Sequence, residues 1–402
     1  MCLPVIRALR QQVTGCEVRL LALTTAFDAA KRVGESPLGY CDFCDQPDAA
    51  LALAYGEQLL SDELHPVVSR QESLAYLGFN FLEWVRVDGE ETAWQRWRKL
   101  GRHGFLPLQF FDHVLRMEMP DVVVATNSPR SEQAALQAAN ALGIPSLSMV
   151  DLFALPGDPY LQRSVYATRI TVLAEATRHH LVVAGVEPSR IVVTGNPAFD
   201  ALTLPAFVEG GLEWRRLLGW QGQHVIFWAG HLEPDDAQPS NWAGARLGQA
   251  VQDRLVQWVS ARSNVCLAVR YHPNEWHKFS PPPVHPRVHW SQPGQTSLLP
   301  VLAGSDQVVV QATTVGAQAR VAGKRVVSLP FSPLVKNSGL DYAQLGMAVG
   351  ATSLDDIVPV LERGMDMTGG GRCSDMPGAS AAMSVALLIA NLALGEVEKT
   401  DI

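Results

Sequence analysis

Short apolar runs alternate with helical patterns along most of the chain. Each run is rich in β-branched residues and is followed by a turn of small residues and by apolar positions at helical spacing; examples are 121–125, 191–194, 225–229, 265–270, 307–311 and 325–329. Uninterrupted apolar strands that alternate with helices are typical of parallel sheets covered by helices on both faces. The pattern predicts an α/β protein.

The region between 200 and 223 predicts a domain boundary. Turn-forming residues cluster there, namely Pro205, Gly210, Gly211 and Gly219, and a new strand is predicted from His224. We therefore expect an N-terminal Rossmann-like domain at 1–205, a C-terminal Rossmann-like domain at 206–380, and a C-terminal helix and tail at 381–402. Two doubly wound domains that face each other would place a ligand cleft between them, beyond the carboxyl ends of their strands.

The first residues depart from the usual Rossmann order. Pro4–Gln12 is typical of the first helix of such a unit, and Val18–Thr24 is typical of the strand that follows it. The strand and the glycine-rich turn that normally precede that helix are not in the sequence. Either the start of the sequence is placed late or the first domain has one strand fewer.

Composition restricts the class of protein. A length of 402 residues fits two domains, and 47% hydrophobic against 18% charged residues supplies substantial cores. The net charge of −8 argues against electrostatic binding of nucleic acid. Six scattered cysteines, Cys373 among them, favour reduced thiols, and the first charges follow an apolar run, which is the wrong order for a signal peptide. We expect a cytoplasmic protein with no membrane-spanning helix.

The turn Ala312–Gly316 is a candidate phosphate site. It follows a predicted strand and opens a helix, so free backbone N–H groups would lie beside the hydroxyls of Thr313 and Thr314. Simple N-capping by one of these threonines is the alternative.

Two more loops after predicted strands of the second domain carry candidate ligand-binding residues. Arg270 and His272 end and follow the strand 265–269 and can donate hydrogen bonds to a nucleotide phosphate; Pro273 restrains His272 towards extended geometry. Gly230 permits close backbone approach to a ligand, and His231 follows it at the edge of the expected cleft. For both loops the alternative is an ordinary loop without a ligand.

The first domain offers acceptor-binding candidates. Asn127, Ser128 and Arg130 lie on the loop that enters a helix after the strand 121–125, and Asp151 follows the next strand. Carboxylates and arginines in such positions can bind acceptor hydroxyls or act as a base. For Asp151 the alternative is a helix cap or turn residue.

Two other motifs favour structural interpretations. Between Trp94 and Phe111, the aromatic residues Trp94, Trp97, Phe105 and Phe111 interleave with basic residues, which would suit an anionic membrane surface or a lipid-linked acceptor. An amphipathic helix with its tryptophans packed inward is the more common case. Cys41 and Cys44 form a lone CxxC without a second pair, so a metal site is not expected there.

Several strings resemble the first domain of non-hydrolysing UDP-N-acetylglucosamine 2-epimerases and their GT-B relatives. They are Pro120–Val124, Gly143–Pro145, Ala174–Thr177 and, as the most specific, Arg190–Asp200. The resemblance covers about 120–330 with gaps. It implies two Rossmann-like domains that clamp a nucleotide sugar. His272–Pro273 and Thr313–Gly316 are also similar to capsule-type GT-B transferases and the glycerophosphotransferase group, in which such residues hold the donor phosphates.

The sequence also departs from the epimerase pattern. Asn127 stands where the epimerases carry an acid, although Asp151 retains an acidic residue after the next strand. The paired glutamates expected between Asp151 and Glu175 are missing, and Ala317–Gln318 replaces part of a Gln-Glu-Glu run that includes a ribose-binding glutamate. Epimerisation by elimination and re-addition of the nucleotide needs proton-transfer groups around the sugar, so these losses argue against it.

We therefore predict a GT-B-like glycosyltransferase of polysaccharide biosynthesis that moves a sugar from a nucleotide-sugar donor to a glycan or lipid-linked acceptor. A nucleotide-sugar epimerase or hydrolase is one alternative, and a non-catalytic GT-B-like binding protein is another. Partners would be the nucleotide sugar and the acceptor, with peripheral contact to the inner membrane face as an open alternative and no nucleic acid.

The predicted site residues follow from these roles. Asp151 and His231 are the candidate catalytic residues, and the acceptor-binding candidates are Asn127, Ser128 and Arg130. The nucleotide-binding candidates are Gly230, Arg270, His272, Thr313, Thr314, Gly316 and Gln318. No Asp-x-Asp motif stands at a strand end, so we expect neither a metal nor a cofactor besides the nucleotide-sugar substrate.

Overall fold

The computed structural model describes residues 1–60, 68–366 and 380–395, and these divide into two compact units. One unit runs from Met1 to Ala198 and includes the helix Ala381–Ala393; the other is the described part of Phe199–Gly378. The predicted tail at 396–402 and Cys373 lie outside the described residues. The predicted domain limits and the ligand cleft stay predictions.

The first unit is built on a parallel sheet with the order β1-β2-β3-β4. Its strands are β1 (Val123–Thr126), β2 (Ser146–Met149), β3 (Arg169–Val172) and β4 (Ile191–Val193). Its helices are α1 (Cys2–Gln12), α2 (Thr25–Arg32), α3 (Ala49–Leu59), α4 (Arg70–Asp88), α5 (Glu90–Leu100), α6 (Leu108–Glu118), α7 (Ser131–Leu142), α8 (Glu175–Val183) and α15 (Ala381–Ala393). The strands lie side by side in the order in which they occur in the sequence, so each described connection leads to the next strand on the same side.

The prediction of a strand at Val18–Thr24 is wrong. This segment makes only an isolated parallel bridge between Leu21 and Leu38, and Thr24 at its end has a φ of 54°. Most of its apolar side chains are half-buried, with Ala22 as the buried exception. Leu21 and Leu23 pack as partly buried residues against the apolar cluster of the surrounding helices, and this contact does not require the pairing of a central parallel strand.

Helix α15 buries one face in the first unit. It packs against α1, and its residues Val385 and Ile389 join Val5 of α1 and Leu147 of β2 in one apolar cluster. Among the described helices none combines the length and the apolar character that crossing a membrane requires.

The second unit contains a six-stranded parallel sheet with the order β10-β9-β8-β5-β6-β7. Its strands are β5 (His224–Gly230), β6 (Val265–Tyr271), β7 (Val288–Trp290), β8 (Gln307–Val310), β9 (Arg325–Ser328) and β10 (Val349–Gly350). Its helices are α9 (Pro205–Leu218), α10 (Arg246–Ser260), α11 (Leu298–Ala303), α12 (Val315–Val321), α13 (Pro333–Ser338) and α14 (Ile357–Asp366). This is the Rossmann strand order: β6 and β7 are added on one side of β5, and β8, β9 and β10 are added on the other, so the order reverses between β5 and β8.

The predicted α/β fold class is therefore confirmed. The apolar runs around 225–229, 265–270, 307–311 and 325–329 form the four central strands of the second sheet, and nearly all of their side chains are buried. Their β-branched composition fits strands that are covered on both faces.

Two adjacent glycines on α9 differ in their surroundings. A Cβ on Gly211 would lie 2.5 Å from the carbonyl carbon of Ala303 and 2.7 Å from the amide nitrogen of Gly304, where α9 crosses α11. A Cβ on Gly210 would meet nothing within 4 Å. Only Gly211 is therefore required for the close approach of the two helices.

We predict opposite effects of alanine at these two positions. Gly211→Ala forces backbone apart and should destabilise the second unit by about 1–3 kcal/mol. Gly210→Ala should stabilise it by up to about 1 kcal/mol, because alanine has the higher helix propensity. Thermal unfolding followed by circular dichroism checks this, since each kcal/mol corresponds to about 2–4 °C for a unit of this size. Equal melting temperatures for both variants would contradict the α9–α11 packing.

Candidate functional site

β5 and β8 are neighbouring parallel strands, and the strand order of the second sheet reverses between them. His231 directly follows β5, and Gln311 directly follows β8. The backbone N–H of His231 donates a hydrogen bond of 2.7 Å to Oε1 of Gln311. The two loops at the reversal are therefore tied together. We call the loops 230–233, 271–275 and 311–316 the switch-point rim.

His231 and His272 lie side by side on this rim. Their ring centroids are 4.6 Å apart, and Nδ1 of His231 lies 3.1 Å from Oε2 of Glu275. Burial lowers the pKa of His231, the carboxylate of Glu275 acts in the opposite direction, and His272 lowers it further. A neutral imidazole whose Nδ1 faces a carboxylate presents its other nitrogen for chemistry. The sequence analysis named both histidines and missed Glu275.

A buried carboxylate fixes the loops behind the histidines. Glu233 is 3% exposed and accepts hydrogen bonds from the hydroxyl of Ser332 at 2.6 Å and the backbone N–H of Leu334 at 2.6 Å. The side-chain amide of the fully buried Gln311 also donates to it. Glu233 thus connects the loop after β5 with the loop after β8 and with the start of α13. Neither Glu233 nor Gln311 is among the predicted site residues. For Gln311 the sequence does contain a signal, since it is a polar residue at the end of an apolar strand.

Aromatic packing accounts for two glycines that the sequence analysis assigned to nucleotide binding. A Cβ on Gly230 would lie 2.5 Å from the Tyr271 ring, and a Cβ on Gly316 would lie 2.4 Å from the Tyr342 ring. The packing of a buried tyrosine therefore requires a glycine at position 230, whether or not a ligand approaches its backbone. Direct contact of either backbone with a nucleotide stays a prediction.

The threonine turn before α12 is partly engaged within the protein. The carbonyl of Thr313 accepts hydrogen bonds from the hydroxyl of Tyr342 at 2.7 Å and from the N–H of Gly316 at 3.1 Å. Thr314 is the N-cap residue, its side chain makes no capping bond, and it is exposed. Gln318 lies one turn into α12, where its side-chain oxygen is buried without a hydrogen-bond partner. Phosphate binding by Thr313, Thr314 and Gln318 stays a prediction.

Arg270 has a structural partner. Its guanidinium, half-buried at the end of β6, donates from one nitrogen to the hydroxyl of Ser291 at 2.9 Å and to the carbonyl of Thr296 at 2.8 Å. Burial lowers its pKa. Arg270 therefore holds the loop between β7 and α11, and its contact with a nucleotide stays a prediction.

The first sheet brings two of the predicted residues together at its own carboxyl edge. The backbone N–H of Asp151, after β2, donates to Oδ1 of Asn127, after β1, at 3.3 Å. The carbonyl of Asp151 accepts from Nδ2 of Asn196, after β4, at 2.6 Å. The main chain of Asp151 is thus held from both sides, and this residue is exposed. The sequence analysis missed Asn196 although it lies in the string that carries the epimerase resemblance.

Arg163 supports the loop that carries the acceptor-binding candidates. Its guanidinium donates to the carbonyls of Asn127 and Ser128, both at 2.8 Å, and lies 4.5 Å from the centre of the Tyr160 ring. Arg130 follows in this loop and is the N-cap of α7, with a φ of 68°. A positive φ in arginine is uncommon and requires support from its surroundings.

The tryptophans of α5 pack inward. Trp94 lies 4.6 Å from Phe81, and Trp97 stacks on Phe105 at 5.6 Å, both within the apolar cluster of the helical region. This is the amphipathic alternative of the sequence analysis. Membrane contact stays a prediction that rests on the basic residues alone. At the CxxC, burial and Glu72 raise the pKa of the Cys41 thiol to about 12, which disfavours a thiolate ligand.

Comparisons with known proteins find similarity to solved structures. No family model matches the sequence, and no curated protein matches it. Among solved structures, the chain is similar to S. aureus MnaA in its co-structure with UDP (13% identity, TM-score 0.56), covering 98% of this chain and 93% of that one.

Two further solved structures are similar. The UDP-GlcNAc 2-epimerase of Neisseria meningitidis, bound to UDP-GlcNAc, has 14% identity and a TM-score of 0.55 over 98% of this chain and 95% of its own. The UDP-GlcNAc 2-epimerase of Methanocaldococcus jannaschii has 13% identity and a TM-score of 0.51 over 70% and 80%. At these identities the likeness concerns the fold, and this chain has the two-sheet α/β fold of the GT-B type that these epimerases share.

Proposed function

We propose that this chain is an enzyme that binds a UDP-sugar and breaks the bond between the sugar and its diphosphate. The observation that carries the proposal is the switch-point rim, where two imidazoles stand together at the carboxyl ends of β5 and β6. This is the position where open α/β sheets bind their ligands. The similar structures of S. aureus MnaA and of the Neisseria epimerase, which hold UDP and UDP-GlcNAc, support a UDP-sugar as the ligand.

The residues of the rim suit an anionic leaving group. His231 and His272 offer N–H donors, and the exposed hydroxyl of Thr314 offers another. Donors that are fixed before the reaction stabilise the charge that develops on the departing diphosphate. Glu275 keeps the imidazole of His231 oriented through its contact with Nδ1. Glu233 and Gln311 act as positioning residues because they hold the loops that carry the histidines.

Epimerisation at C2 of the sugar is the first candidate reaction. A base removes the C2 proton while the bond from C1 to the diphosphate oxygen breaks, which gives an unsaturated sugar and UDP. Re-addition of UDP at C1 with protonation of C2 from the other face then gives the epimer. Asp151 is the proposed base, since its carboxylate is exposed and its main chain is fixed. The fold shared with UDP-GlcNAc 2-epimerases supports this reaction.

Glycosyl transfer is the second candidate reaction. The neutral Asn127 stands where the epimerases carry an acid, and its Oδ1 accepts a hydrogen bond from the N–H of Asp151. Transfer requires only one base, which deprotonates the acceptor hydroxyl, together with stabilisation of the leaving diphosphate. Asp151 would be that base, with the acceptor held by the loop of Asn127, Ser128 and Arg130. A non-catalytic binding protein would keep the rim and lack both reactions.

Product analysis in D₂O separates these functions. An epimerase should convert UDP-GlcNAc to its C2 epimer with deuterium at C2, which proton NMR detects, because the C2 proton exchanges with solvent during elimination and re-addition. A transferase should leave the C2 proton in place and require an acceptor. UDP binding without any turnover, with a panel of sugars and acceptors, would favour the non-catalytic alternative. No binding of UDP, CDP, CMP or GDP in calorimetry would contradict the proposal as a whole.

We predict that His272→Ala weakens the binding of UDP about ten- to a hundredfold, since hydrogen bonds to charged groups contribute about 1.5–3 kcal/mol. Titration calorimetry with UDP measures this. His277→Ala is the matched control, because His277 is exposed five residues further along the same loop. Unchanged affinity in His272→Ala, or an equal loss in His277→Ala, would count against the assigned nucleotide site.

We predict that Asp151→Asn lowers kcat by about 10²–10⁴-fold and leaves the affinity for UDP unchanged. The structural contacts of this residue go to its main chain, so the asparagine keeps them and loses only the carboxylate. Steady-state kinetics and calorimetry on the same preparation check both parts. Asp121→Asn, an exposed carboxylate before the amino end of β1, is the control and should retain full activity. Full activity in Asp151→Asn would remove this residue from the mechanism.

A further inference from the structure

We propose that His231, His272 and Glu275 bind a divalent transition-metal ion of the zinc class. One donor atom from each side chain lies within 4.8 Å of the other two. The sequence predicts no metal, because no Asp-x-Asp motif stands at a predicted strand end. The structure instead brings two imidazoles and one carboxylate together from two neighbouring loops. The inference rests on these three side chains and does not require the proposed reaction.

The separation of His231 and Glu275 fits a shared ion. Nδ1 of His231 and Oε2 of Glu275 are 3.1 Å apart. Two donors at about 2.1 Å from one zinc ion subtend about 95° at that separation, between octahedral and tetrahedral values. A direct hydrogen bond has the same length, so this distance alone is compatible with both. The nearby ring of His272 supplies the third donor that a simple His–Glu pair lacks.

The backbone holds the three ligands in place. The N–H of His272 donates to the carbonyl of Gly230 at 3.2 Å, and the N–H of Glu275 donates to the carbonyl of His272 at 2.9 Å. The carboxylate of Glu275 also accepts from the N–H of Leu232 at 3.0 Å. The cluster is half-buried, with side-chain exposures of 17% for His231 and 25% for Glu275. Nδ1 of His272 accepts a hydrogen bond from the N–H of Asn274 at 3.4 Å. The three donor atoms lie within 4.8 Å of one another, and binding of an ion would draw them towards the about 3.4 Å between ligands of a tetrahedral site.

The donor set selects the class of ion. Two imidazoles and one carboxylate suit zinc and the neighbouring divalent metals, whereas magnesium and calcium prefer oxygen ligands. Three protein ligands leave at least one coordination position open, as in zinc sites that act on a bound molecule. In the proposed function, an oxygen of the substrate diphosphate is the natural occupant of that position. The ion would then add positive charge to a chain with a net charge of −8 at the place where an anion is expected to bind.

Metal binding by the tag-free full-length chain, without nucleotide, tests the proposal. After dialysis against chelator, titration with Co²⁺ should produce d–d absorption bands that saturate at one equivalent, and Zn²⁺ should displace the cobalt. Glu275→Gln keeps the hydrogen-bonding shape of the side chain and removes its charge, so we expect at least a tenfold loss of Co²⁺ affinity. His272→Gln should have the same effect. Circular dichroism melting confirms that both variants are folded.

Three controls identify the ligands. His277→Gln, which alters an exposed neighbouring histidine, should leave Co²⁺ binding unchanged. Cys41→Ser and Cys44→Ser should also leave it unchanged, which excludes the CxxC as the binding site. The proposal is overturned if the wild-type chain binds no stoichiometric Co²⁺ or Zn²⁺, or if a control variant loses binding while Glu275→Gln retains it.

The test separates this proposal from the proposed function. Stoichiometric metal binding in a chain that does not bind UDP would support the metal site and contradict the UDP-sugar enzyme. Binding of UDP that is unchanged by chelator, in a chain that takes up no metal, would support the enzyme and overturn the metal site.

Discussion

The rim of the second sheet depends on one buried carboxylate. Glu233 is removed from water, and a carboxylate in such a place costs several kcal/mol unless hydrogen bonds replace its hydration. Its partners Gln311, Ser332 and Leu334 come from two other loops, so satisfying the charge fixes all three loops at once. The strand order reverses between β5 and β8, and this network links the loops that follow these two strands.

The hydrogen bonds around Glu233 also fix the backbone near His231, one of the proposed site residues of the second unit. Gln311 donates to Glu233 through Nε2 and accepts from the N–H of His231 through Oε1, and the N–H of His272 donates to the carbonyl of Gly230. The first unit reaches a similar result differently. There, amide side chains of Asn127 and Asn196 grip the main chain of Asp151. In both units hydrogen bonds to the main chain fix the loops that carry the proposed site residues, which is what a preorganised site requires.

The sequence predicted the central strands well because they are apolar without interruption, and burial on both faces is the dominant force on them. It failed at Val18–Thr24, where apolar residues pack against the helical cluster and make only an isolated bridge. It located His231 and His272 because strand ends can be counted along the chain. It could not join them to Glu275, Glu233 and Gln311, since these contacts depend on the order of the strands in the sheet and on loop conformations, which no local pattern specifies.

The two candidate reactions make different demands on this rim. In elimination and re-addition, UDP must stay bound until C2 of the unsaturated sugar is protonated. Tight binding of the diphosphate therefore increases the yield of epimer. In transfer, UDP has to depart after each turnover, and an excessively firm hold slows the cycle. In the proposed function, the paired histidines, the carboxylate that orients His231 and the network beneath them would bind the diphosphate firmly. This weighs towards retention of the nucleotide through the reaction, whereas the neutral Asn127 weighs towards a mechanism with a single base. If the enzyme holds UDP firmly and has one carboxylate base, Asp151 would remove the C2 proton and solvent would supply the new one. The exchange of the C2 hydrogen with solvent therefore distinguishes the two reactions.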